Sequence, residues 1–163
     1  MASIFFSHSG KDEQIAEKLK RQLEQMGSDV YMFEHDQQPG ADITDKITKA
    51  IDNHDMLFAL LTKNGGQSSY VQQEIGYAKK AGKPIIPFVE SGIGQEALGM
   101  VADVEYIKFD PNNPDKSISD AQTYVHNHDM RKTYIALGVG AGLLIILVVV
   151  AILYYTRSNP ELS

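Results

Sequence analysis

The sequence predicts an α/β protein: a three-layer domain on a five-stranded parallel sheet of order 2-1-3-4-5, followed by a C-terminal transmembrane helix. Three observations carry that reading. Short apolar runs alternate along the chain with segments of helical periodicity. The apolar runs are continuous rather than alternating, as strands are when helices cover both faces of a parallel sheet. Residues 133–156 hold no charged side chain, whereas residues 1–132 are a mixed, charged, globular sequence.

SIFFS, residues 3–7, is the first strand, an apolar run ending in polar residues. In KDEQIAEKLKRQLEQMG, Ile15, Leu19, Leu23 and Met26 recur at helical spacing, and Gly27 ends the pattern. DVYMF, residues 29–33, is the second strand, and EHDQQPGAD is a loop punctuated by Pro39-Gly40. Asp42 is placed to cap a helix with Ile43, Ile47, Ala50 and Ile51 on one face. MLFALLT, residues 56–62, is the third strand. After the loop KNGGQ, Ser68 or Ser69 caps a helix that buries Val71, Ile75 and Ala78. PIIPFVE, residues 84–90, is the fourth strand; a short helix near Ile93–Leu98 follows, then VEYIKF, residues 104–109, as the fifth strand. PNNPDKS breaks the chain before a last helix over about 117–128. In this strand order the switch point lies between strands 1 and 3, so the loops Ser7–Lys11, Glu34–Asp42 and Lys63–Ser69 border the expected ligand crevice.

The uncharged segment TYIALGVGAGLLIILVVVAILYYT, residues 133–156, exceeds the roughly 20 residues a helix needs to cross a bilayer. Tyr134, Tyr154 and Tyr155 lie at its ends, where interfacial aromatics belong. Lys116, Arg131 and Lys132 precede it and only Arg157 follows, which places the N-terminal domain in the cytoplasm as part of a single-pass membrane protein. MASIFFSHSG has neither a basic n-region nor a long apolar stretch and does not read as a signal peptide. Gly138 and Gly142 form a G-x-x-x-G pair through which two such helices can approach in the bilayer. The expected organisation is a domain at 1–110, a linker and juxtamembrane helix at 111–132, the span at 133–156 and a short tail at 157–163.

Several chemistries are excluded or disfavoured. The absence of cysteine removes disulfides, thiol nucleophiles and Cys-ligated zinc. A net charge of -6 without a basic stripe argues against a nucleic-acid partner. There is no Walker-type phosphate loop, no G-x-G-x-x-G after the first strand and no G-x-S-x-G. The third strand ends Leu61-Thr62, without the aspartate of a phospho-acceptor domain. His126 and His128 are two apart on a polar helix and read as solvated rather than metal-ligating, so no metal site is expected.

Glu74 remains. It sits one residue from Ile75, at the edge of the apolar stripe, and Tyr70 lies four residues earlier on the same face. A carboxylate and an aromatic ring near the start of this helix face the expected crevice. An ordinary surface glutamate has the same spacing, and both readings stand on the residues alone.

Taken together, IFFSHSGKD, EHDQQPGAD and SSYVQQEIGYAKKAGKPIIPFVE resemble the Toll/interleukin-1 receptor (TIR) domain, prokaryotic members most of all, over about residues 2–110. The resemblance implies a flavodoxin-like fold and cleavage of NAD at the nicotinamide–ribose bond, giving nicotinamide and ADP-ribose or a cyclic variant. NAD is then the substrate, and no cofactor is implied. Glu74 matches the family's catalytic glutamate and Tyr70 the aromatic four residues before it. The substrate contacts implied are His8, Ser9 and Gly10 after the first strand, and Phe33, Asp36 and Gly40 around the second loop. The chain lacks tryptophan, so the C-terminal Phe-Trp box of animal adaptors is missing, as are the arginines that some eukaryotic members carry after the first strand. The resemblance further implies self-association of TIR domains, with the loop around Pro39-Gly40 completing a neighbour's site, and a role in prokaryotic antiviral defence. The alternative is a non-catalytic TIR scaffold that acts by TIR–TIR association at the membrane.

Overall fold

The computed structural model describes residues 2–33, 43–65, 68–130 and 135. The chain forms two compact units, Met1–Val125 and His126–Ser163. The first is built on five parallel strands: β1 (Ser3–Ser7), β2 (Asp29–Tyr31), β3 (Met56–Leu61), β4 (Ile85–Glu90) and β5 (Ile107–Phe109). Their order is β2-β1-β3-β4-β5, the order expected. The helices are α1 (Glu13–Gln25), α2 (Ile43–Asn53), α3 (Ser69–Lys80) and the short α4 (Gln95–Leu98). Helical residues resume at 115, and those up to Val125 complete this unit as α5 (residues 115–125).

Every residue of β3 is buried, which is why MLFALL is apolar throughout. Period-two alternation sends its side chains into two cores. Met56, Phe58 and Leu60 join Ile4, Phe6, Leu19, Leu23, Ile118 and Ala121 on the α1 and α5 side. Leu57, Ala59 and Leu61 join Phe5, Ile51, Val71, Ile75 and Ala78 on the α2 and α3 side.

The differences from expectation fall at edges and ends. β2 stops at Tyr31 rather than at 33, because its pairing with β1 ends at Phe5↔Tyr31. Met32 is buried and Phe33 packs against the α2 and α3 core without strand pairing. β5 begins at Ile107 rather than at 104, since β4 pairs only with Ile107–Phe109. Met26, expected on the buried stripe of α1, is 49 % exposed, and Ala16 takes a buried place beside Leu19 and Leu23. Gly27 (φ +91°) ends α1 and Gly82 (φ +67°) follows α3, in left-handed conformations that glycine adopts at little cost. Ser68 occupies the N-cap of α3 but its side chain makes no capping hydrogen bond; the backbone carbonyl accepts from Gln72 N instead.

In the second unit, residues 126–130 and 135 are helical. Among the described residues no helix is long and apolar enough to cross a membrane. The span expected at 133–156, with Gly138 and Gly142, lies outside the described residues except for residue 135.

Candidate active site

Ser7 ends β1. Ile4 and Phe6 point into the α1 side and Phe5 into the α2 and α3 side, so alternation gives Ser7 to α3. Across from it, α3 buries Val71, Glu74, Ile75 and Ala78. Glu74 is therefore not at the exposed edge of the stripe but inside it, 5 % exposed. The Ser7 hydroxyl donates a hydrogen bond to Glu74 Oε2.

A buried carboxylate resists ionisation, because the charge loses its hydration. Burial pushes the Glu74 carboxyl from 4.5 up to about 7, while the Ser7 hydrogen bond and the neighbouring His8 pull the other way. Glu74 thus sits near half-ionisation at neutral pH. It opens onto a groove of about 540 Å3 between α2 and α3, bordered by Thr44, Thr48, Tyr70, Tyr77 and Lys80. The Tyr70 ring is half-exposed on the wall of this groove, and Tyr77 Oη donates to Asp52 Oδ2 at 2.9 Å.

The carboxyl ends of β1 and β3 carry a second buried carboxylate. Asp12 is 5 % exposed and accepts from Thr62 Oγ1, which lies 2.9 Å from each of its oxygens. Thr62 Oγ1 in turn accepts from Asn64 N at 3.2 Å and Gly65 N at 2.9 Å. Burial raises the Asp12 pKa; Thr62, His8 and Lys11 oppose the rise, and Glu90 adds to it. Gly65 packs against this cluster so closely that a Cβ there would run into the Asp12 carboxylate and come within 2.6 Å of Ser9 Cβ. The two turns at the switch point are thereby fastened to each other.

The other residues expected at the site lie in different places. His8 is buried on the α1 side, beside Phe6, with Nε2 2.9 Å from Glu13 Oε2. Ser9 is buried; it begins a 3-10 turn over Gly10–Asp12, accepts from Lys11 N at 3.3 Å, and borders a different cavity of about 700 Å3 with Lys11, Lys63 and Ser68. Gly10 is exposed and borders a third cavity of about 480 Å3. Phe33 is half-buried against the core. Asp36 and Gly40 lie outside the described residues. The structure brings Glu74 and Tyr70 together on one groove, turns His8 toward Glu13 of α1, and places Ser9 and Gly10 over neighbouring hollows. Sequence reasoning missed Ser7, Asp12 and Thr62. The available signal was a polar residue closing each of two apolar strands at the switch point. Among the described residues no group of three or more His, Asp or Glu is placed to hold a metal ion.

A family model described as the TIR domain matches residues 4–122. The chain belongs to the TIR-domain family. No curated protein matches the chain. Among solved structures it is similar to the TIR domains of the activated Roq1 resistosome, at 16 % identity and a TM-score of 0.61, over 77 % of this chain and 99 % of that one. It is similar to the CMP N-glycosidase BcmB of Clostridium botulinum, at 24 % identity and a TM-score of 0.55, over 75 % of this chain and 99 % of that one. The TIR domain of the Toll-related receptor TRR-2 of Hydra magnipapillata matches at 16 % identity and a TM-score of 0.57, over 80 % of this chain and 99 % of that one. At these identities the likeness is one of fold.

Proposed function

We propose that this TIR protein cleaves the nicotinamide–ribose bond of NAD, with Glu74 as the catalytic carboxylate and Tyr70 as an aromatic wall of the substrate groove. The observation that supports this reading is the buried Glu74 carboxyl, raised to about 7 and opening onto a groove with two tyrosines. The bond to be broken joins a pyridinium nitrogen to the ribose anomeric carbon. Nicotinamide departs neutral with the bonding electron pair, so no general acid is needed. Positive charge then develops on the ribose, as in the oxocarbenium-like transition states of glycoside cleavage. A carboxylate held in a water-poor site stabilises that charge far more than one in bulk water. The positively charged pyridinium ring of bound NAD favours the ionised form of Glu74 before reaction begins. Water adds to the cation to give ADP-ribose with release of a proton, or an adenine nitrogen of the same molecule closes a cyclic product. BcmB, an N-glycosidase, shares the fold.

In this reading the uncharged segment 133–156 anchors the domain, with the domain on the cytoplasmic side, and TIR domains gathered in the membrane plane act in prokaryotic antiviral defence. His8, Ser9, Gly10, Phe33, Asp36 and Gly40 are the proposed substrate contacts beyond Tyr70. Nicotinamide release from NAD by the membrane-assembled chain and by Glu74→Ala tests the proposal. Wild-type release and its loss in the variant are expected. Equal activity in the two would overturn the assignment of Glu74, and no release by assembled wild type would leave the scaffold reading.

A further inference from the structure

We propose that Ser7 is the positioning residue of the Glu74 carboxylate: from the end of β1 its hydroxyl holds Oε2 and favours the ionised form that the groove requires. The inference rests on the NAD-cleaving reading for its consequence in catalysis, but the coupling between the two side chains stands on geometry alone.

Ser7 is buried behind Glu74 and does not itself border the groove. Its backbone is fixed by the parallel pairing Ser7↔Ala59, so the hydroxyl is a donor with a set position. Glu74, by contrast, is a long side chain with three rotatable bonds on a helix, and something must choose its rotamer. Among the described residues, Ser7 is the one side chain that donates a hydrogen bond to this carboxylate. Toward a carboxylate a hydroxyl can act only as a donor, and donation to the charged form favours that form.

The charged and titratable groups around Glu74 do not duplicate this role. His8, from the turn after β1, acts on it through charge. Tyr70, Tyr77 and Lys80 on α3 border the same groove. Asp52 on α2 is engaged by Tyr77, and the residues of α2 that border the groove are Thr44, Ile47 and Thr48, none of which titrates. Ser7 is thus the contact that offsets burial directly at the carboxylate oxygen.

The test uses the full chain in detergent micelles with glutamate carboxyls labelled by carbon-13, the Glu74 resonance being identified by its absence in Glu74→Gln. Wild type, Ser7→Ala and Ser7→Thr are titrated, and the pH profile of nicotinamide release is measured on the same preparations. A hydrogen bond to a charged group is strong enough that its loss should raise the Glu74 midpoint by about one pH unit in Ser7→Ala. Release at pH 7 should then fall about fivefold and return close to wild type by about pH 9, because only the ionised fraction has changed. Ser7→Thr, which keeps the hydroxyl, should restore the midpoint. A midpoint in Ser7→Ala that stays at the wild-type value overturns the proposal. So does a loss of activity that is uniform across pH, since a merely structural serine would act that way. Should wild type release no nicotinamide at any pH, in micelles or assembled in a membrane, the enzymatic reading falls, and the titration of Glu74 alone decides whether Ser7 holds it.

Discussion

The 5 % exposure of Glu74 sets its ionisation against the stability of the domain. Its folded pKa lies above the unfolded value, so its contribution to stability is fully present below 4.5 and is lost as pH rises through about 7. The rise from 4.5 to about 7, at about 1.36 kcal/mol per pH unit, corresponds to about 3 kcal/mol. Glu74→Gln keeps the shape without the charge. It should therefore be more stable than wild type at pH 8 by up to about 3 kcal/mol, with the advantage fading below about pH 5. Denaturant titrations of both proteins at the two pH values check this. The same variant should lose activity by about 100-fold or more, the scale of losing one electrostatic stabiliser of a transition state. In wild type, activity at low substrate should rise with pH through about 7 and then level, as the carboxylate form fills. The spacing set Glu74 and Tyr70 on one face of α3, and the family resemblance singled Glu74 out. The burial of Glu74 was not legible, because a position about 100° from Ile75 is covered or open according to what the sheet presents there. Ser7 gave only the hint of a polar residue at a strand end, since its partner is 67 positions away.

At the scale of elements, the turns after β1 and β3 act as one piece through Asp12, Thr62 and Gly65. Thr62→Val removes the donor to a buried carboxylate and the acceptor of two backbone amides. It should destabilise the protein by about 1–3 kcal/mol, read as a lower denaturant midpoint with unchanged slope. Gly65→Ala should also destabilise, because its Cβ has no space beside the Asp12 carboxylate and Ser9. Neither turn carries a sequence pattern that names its partner, which is why this fastening was invisible beforehand. The strands were read more easily. β1, β3 and β4 matched to within a residue at either end, because interior strands are covered on both faces and their apolar runs coincide with their hydrogen bonding. At the edges the two separate: Met32 is buried by packing after β2 has stopped pairing, and the apolar run overstates the strand.

For the whole molecule, the three-layer class followed from the alternation of elements and the strand order from the length of the domain, whereas the placement of the proposed anchor is a statement about residues 133–156 alone. A chain shortened before Thr133 should cleave NAD poorly at nanomolar concentration and regain activity when crowded or tethered to a surface, if assembly completes the site. Full activity as a dilute monomer, measured by light scattering beside the assay, would count against assembly. The parallel pairing of β1 with β3 has one more consequence, which concerns folding. The Ser7–Glu74 contact closes a loop of 67 residues, and sheets made of such distant pairings form late compared with helices. A chain in which β1 and β3 have not yet paired, or one opened by heat, carries Glu74 as a hydrated carboxylate with an ordinary pKa and no groove beside it. On the proposed reading, half-made copies leave the cell's NAD untouched, and catalytic power arrives together with the finished sheet.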